Sequence, residues 1–243
     1  MAATSSGWAR ISSALSMFIT ISLATSFISI SFHLGSVYTA AMSAADFNTT
    51  RNQWLHRWGL HDLPADLPWL ARMAPVNCDA GEFLIHAGDV SDTLYVVNTG
   101  LVRLFYTTPE GRERNKSFIR AGQIAGPVSA AISGGAAPFS IECLEPVEAI
   151  SFHLNDLLDA ADQNLQIARL YRVFLTEAFL RNQQREAVLL TCNAEERYQW
   201  LLANEPDLSD RVTQGHIASY LGIDAVSLSR IKRKLRDATP EHH

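Results

Sequence analysis

Apolar and polar positions change rhythm several times along the chain. From Ile11 to Met42 there is no Asp, Glu, Lys or Arg, and Ile, Leu, Phe and Ala mix with serines and threonines. The core of this run, Ala14–Phe32, approaches the ~20 apolar residues that span a bilayer, but seven serines and threonines dilute it. Three readings fit the run: a membrane anchor, an export signal with Arg10 ahead of it and Ala41–Ser43 as a small-residue site, or sequence upstream of a start at Met42. The last agrees with the abrupt onset of ordinary globular composition at Asp46.

From Ala80 to His153 the period shortens. Gly88, Gly100, Gly111 and Gly122 fall 12, 11 and 11 residues apart. Between them lie the β-prone runs Glu82–His86, Thr93–Val97, Leu101–Thr107 and Ser117–Ile119, followed by Phe139–Leu144 and Val147–His153. Short strands separated by turn residues at this spacing predict an antiparallel sandwich or barrel. Thr108-Pro109-Glu110-Gly111 reads as a hairpin turn, with proline presetting φ and glycine free to take positive φ.

Asn155 to about Asn204 reads as helical, with neither Gly nor Pro before Pro206. Leu165, Ala168, Tyr171, Leu175 and Ala178 keep one stripe, and Leu170, Val173, Phe174 and Leu180 add apolar surface on other faces. A helix apolar on several faces is buried on several faces. It either packs on the β region and on the same helix of a second subunit, or serves as a core helix in a monomer.

The last segment carries the most information. With Gln214 as the first residue of a helix-turn-helix, Ile217, Leu221, Ile223, Leu228 and Ile231 occupy the inward positions. Ala218 is small where two helices must cross, and Gly222 permits the sharp turn between them. On the second helix Leu228, Ile231 and Leu235 point inward at i, i+3, i+7, leaving Val226, Ser229, Arg230 and Arg233 on the opposite face, the one that would enter a major groove.

Composition narrows the class. Hydrophobic residues make up 47% of the 243 and charged residues 19%, enough for one to two packed domains and too apolar for wholesale disorder. The net charge is −5, unevenly spread: Arg211–Arg236 carries +5 and the remainder −10. A basic stretch on an acidic body fits a polyanionic partner or a solvated helix face. Cys78, Cys143 and Cys192 form no Cys-x-x-Cys pair, so a zinc knot or iron–sulfur cluster lacks its ligands. A sparse, odd set fits a reducing, cytoplasmic compartment. His86 and His153 stand alone, which argues against a metal-dependent enzyme on the β scaffold. No catalytic constellation appears, with no GxxxxGK, HExxH or GxSxG, and no cofactor or metal is expected.

These parts, in this order, resemble the Crp/Fnr transcription regulators over about residues 50–236. Gly88-Asp89, Leu94–Val97, Gly100–Leu104 and Gly122–Gly126 look like the effector domain of that family. Ala194–Arg197, Leu201-Leu202, Pro206, Leu208, Arg211-Val212, Ile217–Ile223 and Ser227–Ile231 look like its C-terminal part. The resemblance implies an α+β chain: a double-stranded β-helix (β-roll) of the cyclic-nucleotide-binding type over 46–154, a dimerisation helix over 155–192, and a helix-turn-helix over 193–243, after an apolar extension over 1–45. It implies a homodimer on palindromic double-stranded DNA, a small-molecule effector, and RNA polymerase as a further partner. Gln214, Ala225, Val226, Ser227, Ser229, Arg230, Lys232, Arg233 and Lys234 would then face DNA. Of these, Arg230 matches a family arginine on guanine or phosphate, and Ser227 a hydroxyl on phosphate.

The departures from the family pattern lie in the pocket and at the end of the chain. Family members that bind cyclic nucleotides carry Gly-Glu, the glutamate holding the ribose, and Arg-Ser/Thr, the arginine neutralising the cyclic phosphate. Here those positions read Gly126-Pro127 and Phe139-Ser140. Without the carboxylate and the guanidinium, an anionic nucleotide is unfavourable to bury, so tight cyclic AMP or GMP binding is not expected. The cysteine cluster of the Fnr branch and any haem signature are absent. Val226 stands where relatives carry a polar base-reading residue, and touches at most a thymine methyl. The β-hairpin wing has no counterpart after Leu235. The competing reading is a β-roll that binds a ligand or a protein, tethered to a membrane through 11–41 or free, without specific DNA binding.

Overall fold

The computed structural model describes residues 44–64 and 66–238. The apolar run at 11–42, with its three readings, lies outside them. Among the described residues no helix is long and apolar enough to cross a membrane.

Two helices, α1 (Ala44–Arg57) and α2 (Pro68–Ala71), precede eight strands. These are β1 (Ala74–Cys78), β2 (Phe83–Ile85), β3 (Thr93–Thr99), β4 (Leu101–Thr107), β5 (Glu113–Arg120), β6 (Ile124–Ala125), β7 (Ser140–Cys143) and β8 (Val147–His153), with α3 (Val128–Ser133) between β6 and β7. They form two four-stranded antiparallel sheets, ordered β1-β8-β3-β6 and β2-β7-β4-β5. This is the expected roll. The six β-prone runs all become strands, and Gly111 closes the β4–β5 hairpin with its N–H donated to the Thr108 carbonyl at 2.9 Å.

Alternation along the strands divides the core. Val97, Val147, Ala149, Val102, Leu104, Ile141 and Phe139 face one another between the sheets. Leu94, Val96, Ile150 and Phe152 point the other way, onto Trp54, Trp69, Leu154 and Phe174 from the helices. Leu101 and Phe118, on the outer face of the second sheet, belong to a third cluster with residues 198–228.

The helical stretch 155–204 is three helices rather than one: α4 (Leu154–Gln163), α5 (Leu165–Thr191) and α6 (Ala194–Asn204). Asparagine caps make both breaks. Asn164 Oδ1 accepts from the Gln166 and Ile167 amides, and Asn193 forms a reciprocal capping box with Glu196. After α7 (Leu208–Arg211) come α8 (Gln214–Leu221) and α9 (Ala225–Ala238). No strand follows α9 among the described residues.

Candidate nucleic-acid interface

Helices α8 and α9 form the helix-turn-helix, with its turn where the sequence places it. Thr213 caps α8, its hydroxyl accepting from the His216 amide at 3.3 Å. Gly222 ends α8 at φ 68°, and the Ile223 N–H reaches back to the Ala218 carbonyl at 3.0 Å. Asp224 starts α9, accepting from the Ser227 amide and hydroxyl, each at 2.7 Å. Arg197 of α6 locks the assembly from behind, donating to the carbonyls of Leu189, Cys192 and Leu221. Ile217, Ala218, Leu221 and Leu228 are buried, with Ile223, Ile231 and Leu235 packed against them.

The opposite face of α9 is open. Val226 is 61% exposed, and Ala225, Ser229, Arg230 and Arg233 are exposed beside it. Arg230 and Arg233 pair with no carboxylate among the described residues. The other basic groups are engaged. Lys232 donates to Gln214 Oε1 at 3.0 Å, and Lys234 bonds Glu195. The Ser227 hydroxyl serves the cap. Arg211, counted with the basic stretch from sequence, is instead an interdomain clamp. It donates to both Glu145 oxygens at 2.9 and 2.7 Å and to the Gly100 carbonyl at 3.0 Å, so it lends no charge to the α9 face.

Sequence reasoning gave no hint that α8 docks directly on the β4–β5 hairpin. Asn115 donates its side-chain amide to the His216 carbonyl at 2.9 Å, and its backbone N–H to Ser219 Oγ at 3.0 Å. Ser219 Oγ in turn donates to the Glu113 carbonyl at 3.1 Å. Buried Arg103 holds the centre, bonded to Glu142 at 2.6 Å, Glu113 at 2.6 Å and Asn115 Oδ1 at 3.2 Å, with His216 Nδ1 accepting at 3.4 Å. Burial pushes the His216 imidazole below its ordinary pKa, and the Arg103 charge adds to this against Glu142 and Glu113.

The four effector-pocket positions, Gly126, Pro127, Phe139 and Ser140, lie along β6, α3 and β7 of the roll. Gly126 lets β6 pass close to β3, since a Cβ there would lie 2.1 Å from Leu94 Cδ2. Pro127 is buried ahead of α3. Phe139 fills the space between the sheets, edge-on to Tyr106 at 5.8 Å. Ser140 Oγ already accepts from the Ala87 amide at 3.0 Å. Two cavities lie elsewhere. A cleft of about 530 Å³ opens at the β1–β2 end, lined by Asn77, Glu82, His86 and Tyr95. A smaller one of about 80 Å³ lies against α5, between Trp58, Phe174 and Arg181. His153 pairs with Asp92 at 2.8 Å, and among the described residues no three His, Cys, Asp or Glu side chains are grouped to hold a metal.

With this geometry in place, the likeness to known proteins is coherent. Residues 75–164 match the cyclic nucleotide-binding domain family. The chain is 30% identical over 176 residues to the fumarate and nitrate reduction regulatory protein of Escherichia coli, spanning 67% of this chain and 68% of that one. The fold is shared with FixK2 from Bradyrhizobium japonicum, at 20% identity and a TM-score of 0.60 over 68% of this chain and 85% of that one. It is shared too with CooA from Carboxydothermus hydrogenoformans, at 13% identity and a TM-score of 0.61 over 76% and 84%. The roll, the capped long helix and the glycine-turned helix pair, read with these relatives, settle the assignment: the chain belongs to the Crp/Fnr family of transcriptional regulators.

Proposed function

We propose that this chain regulates transcription as a homodimer that reads a palindromic duplex through α9, with an effector pocket no longer suited to cyclic nucleotides. The observation that carries the reading is the two-sidedness of α9. Leu228 is fully buried against α8, while Val226, Ser229, Arg230 and Arg233 stand in solvent. Arg230 is placed for a guanine edge or a phosphate, Arg233 for a phosphate, and Val226 for a thymine methyl. Lys232 and Lys234 become available by exchanging Gln214 and Glu195 for phosphate, as counterions are released.

The exposed side of α5 supports the dimer. Val173, Thr176, Leu180, Gln183, Ala187 and Leu190 recur at alternating spacings of 3 and 4, all exposed, with Leu190 at 76%. That spacing is the one a two-stranded coiled-coil seam uses. Pairing there would carry two α9 helices into successive major grooves about 34 Å apart. RNA polymerase would then be a partner of the DNA-bound dimer.

Selection of bound duplexes from a random pool, using residues 42–243, tests the reading. The expected result is a symmetric motif with half-sites one helical turn apart. Salt-sensitive binding with no enriched sequence would instead favour a β-roll binding module with a non-specific basic face.

A further inference from the structure

Strands β1 and β2 run as one bent ribbon antiparallel to β7 and β8. Cys78, the last residue of β1, faces Val147, and Phe83 of β2 faces Glu142, so one register carries through the corner. The corner is stitched by the Gly81 N–H to the Cys143 carbonyl at 2.7 Å and by the Cys143 N–H to the Glu82 carbonyl at 2.8 Å. Cys78 and Cys143 therefore end β1 and β7 at a single bend, and both belong to the apolar cluster between the sheets. Their thiols are hydrogen-bonded to each other across that bend. The third thiol, Cys192, lies at the C-terminal cap of α5, outside this cluster.

The two thiols are not equivalent. Cys78 lines the cleft of about 530 Å³ at the β1–β2 end and keeps 7% of its surface exposed, whereas Cys143 is wholly enclosed. Burial pushes the Cys78 thiol up; the hydrogen bond with Cys143 holds it back, and the Glu82 and Asp79 carboxylates add to the rise. Burial also pushes the Cys143 thiol up, and there the same hydrogen bond raises it. Cys143 is thus the donor, and the Cys78 sulfur is the acceptor on which negative charge is better held. Cys78 is the thiol that meets a reagent in the cleft, and Cys143 is the one that resolves. Both stay protonated at neutral pH, so exchange is slower than at an exposed thiolate, and the pair answers a sustained change of redox poise.

We propose that Cys78 and Cys143 are a redox pair, joined into a disulfide across the sheet corner by a low-molecular-weight disulfide that enters through the β1–β2 cleft. Cys78 attacks the incoming disulfide and bonds to one half, while the other half leaves as a thiol carrying the Cys78 proton. Cys143 then attacks the Cys78 sulfur, and the second half leaves as a thiol carrying the Cys143 proton. Two protein thiols are oxidised to one disulfide, and one small disulfide is reduced to two thiols. The bond itself does not depend on the regulator reading. Its effect reaches the DNA-binding helices through β7. Glu142, one residue before Cys143, accepts from Arg103 at 2.6 Å in the joint with α8, and Glu145, two residues after it, accepts from Arg211 at 2.9 Å. Drawing Cys143 toward Cys78 shifts both acceptors.

Equilibration of the full chain in glutathione buffers of rising oxidising poise, followed by acid quench and thiol counting in denaturant, tests the pair. The expected result is a fall from three free thiols to one, with Cys78 joined to Cys143 in peptide mapping and all three thiols recovered on reduction. Cys192→Ser keeps the linkage. Cys143→Ala halts at a glutathione adduct on Cys78, and Cys78→Ala leaves Cys143 unmodified. Unfolding of either variant would erase this asymmetry, because Cys192 would then be modified as well. Hydrogen exchange in α8 is expected to be faster in the oxidised wild type than in the reduced one. Three free thiols at every poise, a linkage that forms only in urea, or an adduct on Cys192 ahead of any change at Cys78 would each overturn the proposal. Identical exchange in α8 for the two forms would overturn its reach to the DNA-binding helices. Failure of duplex selection with the linkage intact overturns the regulator reading alone, and the reverse removes only this pair.

Discussion

Asn115 on the β-roll and His216 on the first DNA-binding helix are joined by a 2.9 Å hydrogen bond across 101 residues of sequence. The effector half and the DNA-binding half therefore share a polar joint as well as the apolar cluster of Leu101, Phe118, Ile217 and Leu228. Asn115→Leu strands the His216 carbonyl and removes one of the acceptors of Arg103. It should cost about 1–3 kcal/mol, read from urea midpoints, with faster hydrogen exchange confined first to α8 and α9.

The same joint depends on pH. Its docked form favours neutral His216, whose pKa is lowered from 6.5 by burial and by Arg103, with Glu142 and Glu113 opposing. The stability it contributes is therefore complete above the ordinary histidine value and is lost as pH falls below it. Melting temperatures measured from neutral to mildly acidic pH should fall more steeply for the wild type than for His216→Gln. Parallel curves would contradict the assignment.

Gly222 holds the αL turn at φ 68°, and a Cβ there would meet Arg197 Nη1 at 3.4 Å, an ordinary contact. The penalty of Gly222→Ala is thus backbone strain rather than a clash, about 1–2 kcal/mol. Thermal unfolding should register that loss, and duplex binding should weaken as α9 loses its angle to α8.

Leu180 lies midway along the proposed seam on α5 and is 48% exposed. If α5 pairs as proposed, Leu180→Lys places like charges across the paired helices and should shift sedimentation from dimer toward monomer, leaving the melting of the roll largely unchanged. A wild type that sediments as a monomer would remove the dimer from the proposal.

Much of this was legible in the sequence because the signals were local. The pair α8–α9 carries its turn glycine, its small crossing residue and its inward stripe within two dozen residues, and the strands are bounded by glycines. Strand β1 escaped because Ala74-Pro75-Val76-Asn77-Cys78 is poor in β-branched residues; an edge position lets it keep its proline. The breaks at Asn164 and Asn193 escaped because neither uses Gly or Pro, although Asn193 followed by Glu196 is a readable capping signature. The ion pair of Arg211 was not legible because its partner Glu145 lies 66 residues away. Arg103, Asn115 and His216 had no local signature, since only folding brings them together.

The central claim is that Arg230 contributes sequence-specific affinity from an exposed α9. Its most direct test is anisotropy of a labelled selected duplex, with a scrambled duplex in parallel, across a salt series. Arg230→Ala should lose about 1–3 kcal/mol on the selected duplex and far less on the scrambled one. Equal losses on both duplexes, or none on either, would contradict the account.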